Sequence, residues 1–163
     1  MRHFILTLLL CGIFLFFPFQ VYIIGNDNGI GIQGATFRYQ ISGYGNSLIP
    51  ITNDVLYVIH GMYTGRTALS IIVWFLGTLL LVSTTLFSLI FSTDSRVDFF
   101  HQIGIGLLVV CGCYLISCIA QYGWFFAGPA GISIPFGIVI LLSWIVIVYK
   151  YPELFNIKTQ ILS

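Results

Sequence analysis

Apolar and polar stretches divide the chain into four long apolar runs joined by shorter polar connections. The runs are Phe4 to Ile24 (broken by Pro18), Ala68 to Ser92, Ile103 to Gly123 and Ile132 to Tyr149, and no charged residue falls inside any of them. A helix crossing the hydrocarbon of a bilayer needs about 20 mainly apolar residues. Each run is therefore predicted to span, giving a four-transmembrane-helix bundle. The first run follows Met1-Arg2-His3, as in a signal peptide. It exceeds the roughly 7–15 residues of a signal h-region and no small-x-small cleavage site follows it, so it is expected to be retained as an anchor.

The connection 25–67 is the one sizeable polar segment, rich in Gly, Asn, Ser and Tyr. Within it Ala35, Phe37, Tyr39 and Ile41 alternate with Thr36, Arg38 and Gln40, which is the period of a strand. Gly43 to Ser47 reads as a turn, and Leu48 to Thr52 as a short return strand containing Pro50. Asp54 to Tyr63 fits either a strand or a short helix. The expectation is a small antiparallel β-sheet in the first loop, on the outer membrane surface, with helix ends covering one face. In the inner turn 93–102, Thr93-Asp94 is a plausible helix cap that makes Val97 to Gln102 the first turns of a longer third helix. The remaining segments are a short outer loop, 124–131, and a tail, 150–163.

Lys and Arg set the orientation. With the N-terminus in the cytoplasm, the inner side carries Arg2, Arg96, Lys150 and Lys158, and the outer side Arg38 and Arg66. Four against two favours both ends inside the cell membrane and loop 25–67 outside. That loop has neither an Asn-x-Ser/Thr sequon nor a cysteine.

Composition strengthens the membrane reading. Of 163 residues, 58% are hydrophobic, 17% aromatic and 7% charged, where a soluble domain carries about 25% charge. Lipid is the first expected partner, and other membrane chains or a second copy the next. A net charge of +1 gives no basic field for nucleic acid.

The stretch CGCYLISC holds three of the four cysteines. On a helix, at about 100° per residue, Cys111 and Cys118 share a face and Cys113 lies nearly opposite, so the three cannot meet at one ion. Cys11 and one of these would make a poor zinc site. No metal or cofactor is expected. Instead Gly104, Cys111 and Cys118 recur every seven residues, as do Gly106, Cys113 and Ala120. These are seams of small residues of the kind that let membrane helices pack closely. Thr78, Thr85, Ser88 and Ser92 form a similar stripe on the second run.

Other motifs are weaker. GIGIQG (Gly29 to Gly34) matches a dinucleotide fingerprint in letters but follows an apolar run and precedes a strand, so its glycines are read as turn and close-contact residues. Asp54 and His60 are read as hydrogen-bonded or solvated. Arg66 is expected to snorkel or to pair with Asp54. Asp94, Arg96, Asp98 and His101 cluster in the inner turn, and Gln20, Ser117 and Gln121 near outer helix ends. No catalytic constellation appears, so no catalytic residue is named.

GRTALSIIVWFLGTLLL (Gly65 to Leu81) is similar to the Arg-Ala-Leu approach to the second span in claudin and peripheral-myelin-protein tetraspans. SRVDFFHQIGIGLLVVCGCYLISCIAQYGWF (Ser95 to Phe125) is similar to their basic approach and Gly-rich third span. The layout resembles theirs across most of the chain, and implies cytoplasmic ends and a first outer loop forming a small sheet. This loop has no Trp and no Cys, so no functional residue is carried over. The expected function is non-catalytic: contact with other chains, as an accessory subunit or a self-associating component, through Phe37, Tyr39, Ile41 and Tyr44. The alternatives are a channel or transporter component lined by the Ser/Thr stripe, and a membrane enzyme or redox protein using its cysteines.

Overall fold

A computed structural model describes residues 12, 15–25, 29–43, 45–90 and 97–150, of which 97–101 and 147–150 are described in backbone only. Among the described residues the chain runs through β1 (Pro18–Ile24), β2 (Gly29–Gly34), β3 (Phe37–Ser42), β4 (Gly45–Pro50), α1 (Ile51–Ile59), α2 (Gly65–Ile90), α3 (Val97–Tyr122), β5 (Ala127–Gly128), β6 (Gly131–Ile134) and α4 (Phe136–Lys150). The helices α2 and α3 are long and apolar enough to cross a membrane, whereas the apolar part of α4, Phe136–Val146, is shorter.

The strands form one antiparallel sheet in the order β4-β3-β2-β1-β6-β5. It is larger than the first-loop sheet read from the sequence, and it begins earlier. Pro18–Ile24 is a strand rather than the outer end of a spanning helix. Proline cannot donate the helical hydrogen bond and disfavours helix in the residue before it, so Pro18 is a change of structure and not a kink. The rest of that run, with Cys11, lies mostly outside the described residues. The connection 124–131 and the start of the fourth run also join the sheet as β5 and β6, so α4 begins only at Phe136. Val97 to Gln102 is helical and continuous with α3. The Thr93-Asp94 cap, Arg96 and the tail 151–163 lie outside the described residues.

Of the two choices for Asp54 to Tyr63, the chain takes a helix over Ile51–Ile59. Its first N–H is satisfied by the sheet, Ile51 N donating to Thr36 O at 2.9 Å. It stops at Gly61, whose φ of +72° suits the left-handed cap that glycine supplies. GIGIQG is strand β2.

The sheet lies flat along α2 and α3, near the start of α2 and the end of α3. Phe19 packs on Trp74 and Tyr114, with ring centroids 6.3 and 4.6 Å away, and Tyr22 lies over Tyr122 at 6.4 Å. Three residues of strand, about 10 Å, thus run beside eight residues of α3, about 12 Å. Strand and helix are nearly parallel. The core joins both layers through Phe19, Ala35, Trp74, Leu81, Val110, Tyr114 and Leu141.

The two sheet faces are inverted relative to a soluble α/β layer. Register places Gln20, Gln33, Arg38 and Ile49 in one cross-strand row, and Ser133, Tyr22, Gly31, Gln40 and Ser47 in the next. Their shared face is the one turned to the helices, where Gln20, Tyr22, Gln33 and Ser133 are buried. The opposite face has the rows Ile134, Val21, Ile32, Tyr39, Leu48 and Ile132, Ile23, Ile30, Ile41, Asn46. It is aliphatic apart from Tyr39 and Asn46, and largely exposed.

Candidate functional site

Polar groups form four hydrogen-bonded clusters, three between sheet and helices and one between α2 and α3. At the first, Gln20 Oε1 accepts from Cys118 Sγ at 2.9 Å and from Ser133 Oγ at 2.8 Å, while Gln20 Nε2 donates to Gln33 Oε1 at 2.6 Å. One amide thus ties β1, β2, β6 and α3 together, and all four side chains are buried. At the second, Trp74 Nε1 donates to the carbonyls of Gly34 and Ala35, and Thr78 Oγ1 donates to Ala35 O at 2.7 Å. These fasten the β2–β3 turn to α2. Tyr114 completes the cluster, its ring 4.4 Å from that of Trp74 and its hydroxyl 3.3 Å from Thr78 Oγ1.

The third cluster pins the start of α2 to the end of α3. Ser70 and Ser117 hydroxyls lie 2.8 Å apart and each also donates to the other's carbonyl, while Ser70 Oγ reaches Gln121 Oε1 at 3.2 Å. Arg66 donates to Ala120 O and Ile119 O, carbonyls at a helix end where a cation is favoured. Arg66 therefore does not pair with Asp54. That partner is Arg38, whose Nη2 lies 2.7 Å from Asp54 Oδ1, with Tyr63 OH at 3.4 Å.

This ion pair is the fourth cluster, and it closes α1 onto the polar face of β3. Burial raises the Asp54 carboxyl above its usual range, with Arg38 pulling it only part of the way back. Burial acts against the Arg38 charge too, but Asp54, Tyr22 and Tyr63 outweigh it and hold the guanidinium protonated. Beside the pair, Tyr22 OH, Arg38 Nε and Ser47 Oγ are buried without a hydrogen-bond partner. The Tyr22 ring lies across Gly31, where any side chain would collide with it. Gly31 is thus what lets a large phenol lie flat against the sheet.

The small residues of α3 divide between its neighbours. A Cβ on Gly106 would meet Thr84 Oγ1 of α2 at 2.7 Å, and one on Gly77 of α2 would meet Tyr114 at 2.9 Å and Cys113 Cβ at 3.0 Å. Cys111 instead faces α4, 4.0 Å from Ile138 O, and Cys118 faces the sheet. Gly104 is buried, while Ala120 and Thr85 are half-buried. Thr78 serves the sheet as much as the helix pair. Phe37 and Tyr39 are half-buried and Ile41 is exposed; Tyr44 lies outside the described residues, and His60 is exposed beyond the end of α1.

Among the described residues no three His, Cys, Asp or Glu gather to hold a metal, and Cys111, Cys113 and Cys118 are free thiols. A cleft of about 370 Å³ opens between the second half of α2 and the start of α3, lined by Ser83, Thr84, Phe87 and Gln102. Sequence reasoning had placed Gln20 at a helix end and passed over Gln33, Ser70, Trp74 and Ser133. The available signal was in β1 and β6, where Gln20, Tyr22 and Ser133 fall at every second position among aliphatic residues.

Compared with known proteins, the chain matches no family model and no curated protein.

Proposed function

We propose that the chain is an integral membrane protein of tetraspan layout, similar in plan to claudin-type proteins, that works by non-catalytic contact with other membrane chains or with copies of itself. Both ends would face the cytoplasm and the sheet the outer side. The observation that carries this reading is β4. It is a six-residue strand at one end of the sheet with no strand beyond it among the described residues, and its Leu48 is exposed. An open edge of this length is a template for pairing with another chain. Gln20, Gln33, Cys118 and Ser133 are bonded to one another between sheet and helices.

The test is the native mass of the full chain after extraction in a mild detergent, with all co-purifying chains identified. A defined hetero-complex or homo-oligomer that falls apart when Leu48→Pro is placed in β4, where the backbone N–H faces the open edge and not β3, supports the reading. A monomer unaffected by that change overturns it. The pore alternative is less favoured, because Thr78 and Ser88 of its stripe are buried in the protein.

A further inference from the structure

The orientation of the sheet faces carries an inference that rests on the membrane reading above but goes beyond it. Where a sheet lies on helices in water, its apolar face is turned to the helices and its polar face to solvent. Here the order is reversed. Gln20, Gln33, Arg38 and Tyr22 face inward, and the outward face has two cross-strand rows that are aliphatic apart from Tyr39 and Asn46, with no charged side chain. This is the polarity of a membrane barrel wall, apolar outside and polar within.

Two observations say what covers that face. The first is its level along the bundle. The β2–β3 turn is fastened to Trp74 and Thr78, and Tyr22 lies over Tyr122, so the sheet stands beside the first half of α2. On that same stretch α2 exposes Leu69, Ile72 and Leu76, and its exposed aliphatic residues continue to Ile90. Leu69 to Ile90 is about 31 Å of helix, which matches the roughly 30 Å hydrocarbon thickness. Arg66 and the exposed Trp124 lie just beyond its outer end, where basic and aromatic residues meet headgroups. The second is size. Five strands and two rows give a face of about 20 by 14 Å, some 300 Å², well short of the roughly 800 Å² per partner of a stable protein interface.

We infer that the sheet is not held clear of the membrane but is sunk into the outer leaflet, with its aliphatic face against acyl chains and its polar face against α3 and α1. Immersion also sharpens the demand on β4. Backbone groups of an edge strand find no partner in lipid. Pro50, which has no N–H to satisfy, stands at the deep end of that edge, while Gly45 and Asn46 stand at the shallow end. The stretch between them is where a neighbouring chain would pair.

The experiment places a photoreactive leucine analogue singly at Ile30, Ile132 or Leu80 in the full chain, reconstituted in phosphatidylcholine vesicles. Adducts are identified by mass spectrometry. Lipid adducts at Ile30 and Ile132, at a yield comparable with that at Leu80, are the expected result. Solvent adducts at the sheet positions with lipid adducts at Leu80 would overturn the inference and leave the membrane reading standing. Adducts to a second copy at Ile30 or Ile132 would overturn it in favour of a protein-covered face. Absence of lipid at Leu80 as well would remove the membrane reading and the inference with it.

Discussion

Tyr22 shows how a residue can be placed by shape and left unsatisfied in its chemistry. Its ring fills the groove over Gly31, and its hydroxyl is buried without a partner. A buried polar group that makes no bond carries a desolvation cost. Tyr22→Phe should therefore leave stability unchanged or raise it by about 1 kcal/mol, read as the unfolding midpoint in detergent. A clear loss would mean that the hydroxyl is bonded in the folded protein.

Asp54 makes a prediction with a sign. Its folded-state carboxyl is raised above the ordinary value of 3.8 because burial outweighs Arg38. The folded chain thus holds the proton more tightly than the unfolded chain. The associated stability is fully present below pH 3.8 and is lost as pH rises through the folded value. The stability difference between the parent and Asp54→Asn should be most favourable to the parent at low pH and should shrink as pH rises. A difference that grows with pH would show that Arg38 wins and the carboxyl is depressed.

Among elements, the contact between α2 and α3 is set by glycines at close approach. Gly77 lies against Tyr114 and Cys113, and Gly106 against Thr84, with no room for a larger side chain unless the helices separate. Gly77→Leu or Gly106→Leu should cost about 1–3 kcal/mol by overpacking. Chemical unfolding followed by circular dichroism would detect it. Gly112, whose Cβ position is open, is the control: Gly112→Ala should be neutral or stabilising through helix propensity.

Elements were legible in the sequence where pattern and environment agreed. The long apolar runs of α2 and α3 and the alternation through β3 were visible at once. β1 was not, because PFQVYII continues an apolar run without a charge, and a short apolar strand cannot be told from helix by periodicity alone. Its alternation of Gln20 and Tyr22 with Val21 and Ile23 was present but pointed the wrong way. Reading polar as outward would have turned the sheet over. The Gln20 cluster was illegible for another reason: its four members are scattered from β1 to β6, and no local pattern announces which amide meets which hydroxyl.

For the whole molecule, the order of elements along the chain matters as much as their arrangement in space. β1 is an interior strand, flanked by β2 and β6. β2 follows it almost immediately, but β6 comes only after α1, α2 and α3. The hydroxyl that completes the Gln20 cluster belongs to Ser133, 113 residues later. A ribosome delivering this chain from its N-terminus would therefore present four of the six described strands first. Until β6 arrives, β1 has one free side and Gln20 lacks the Ser133 donor. Before β6 is made, the sheet β4-β3-β2-β1 has two open edges, and the arrival of β6 closes the one at β1. If copies pair through β4 as proposed, β1 is a competing edge for as long as synthesis of the second half of the chain takes.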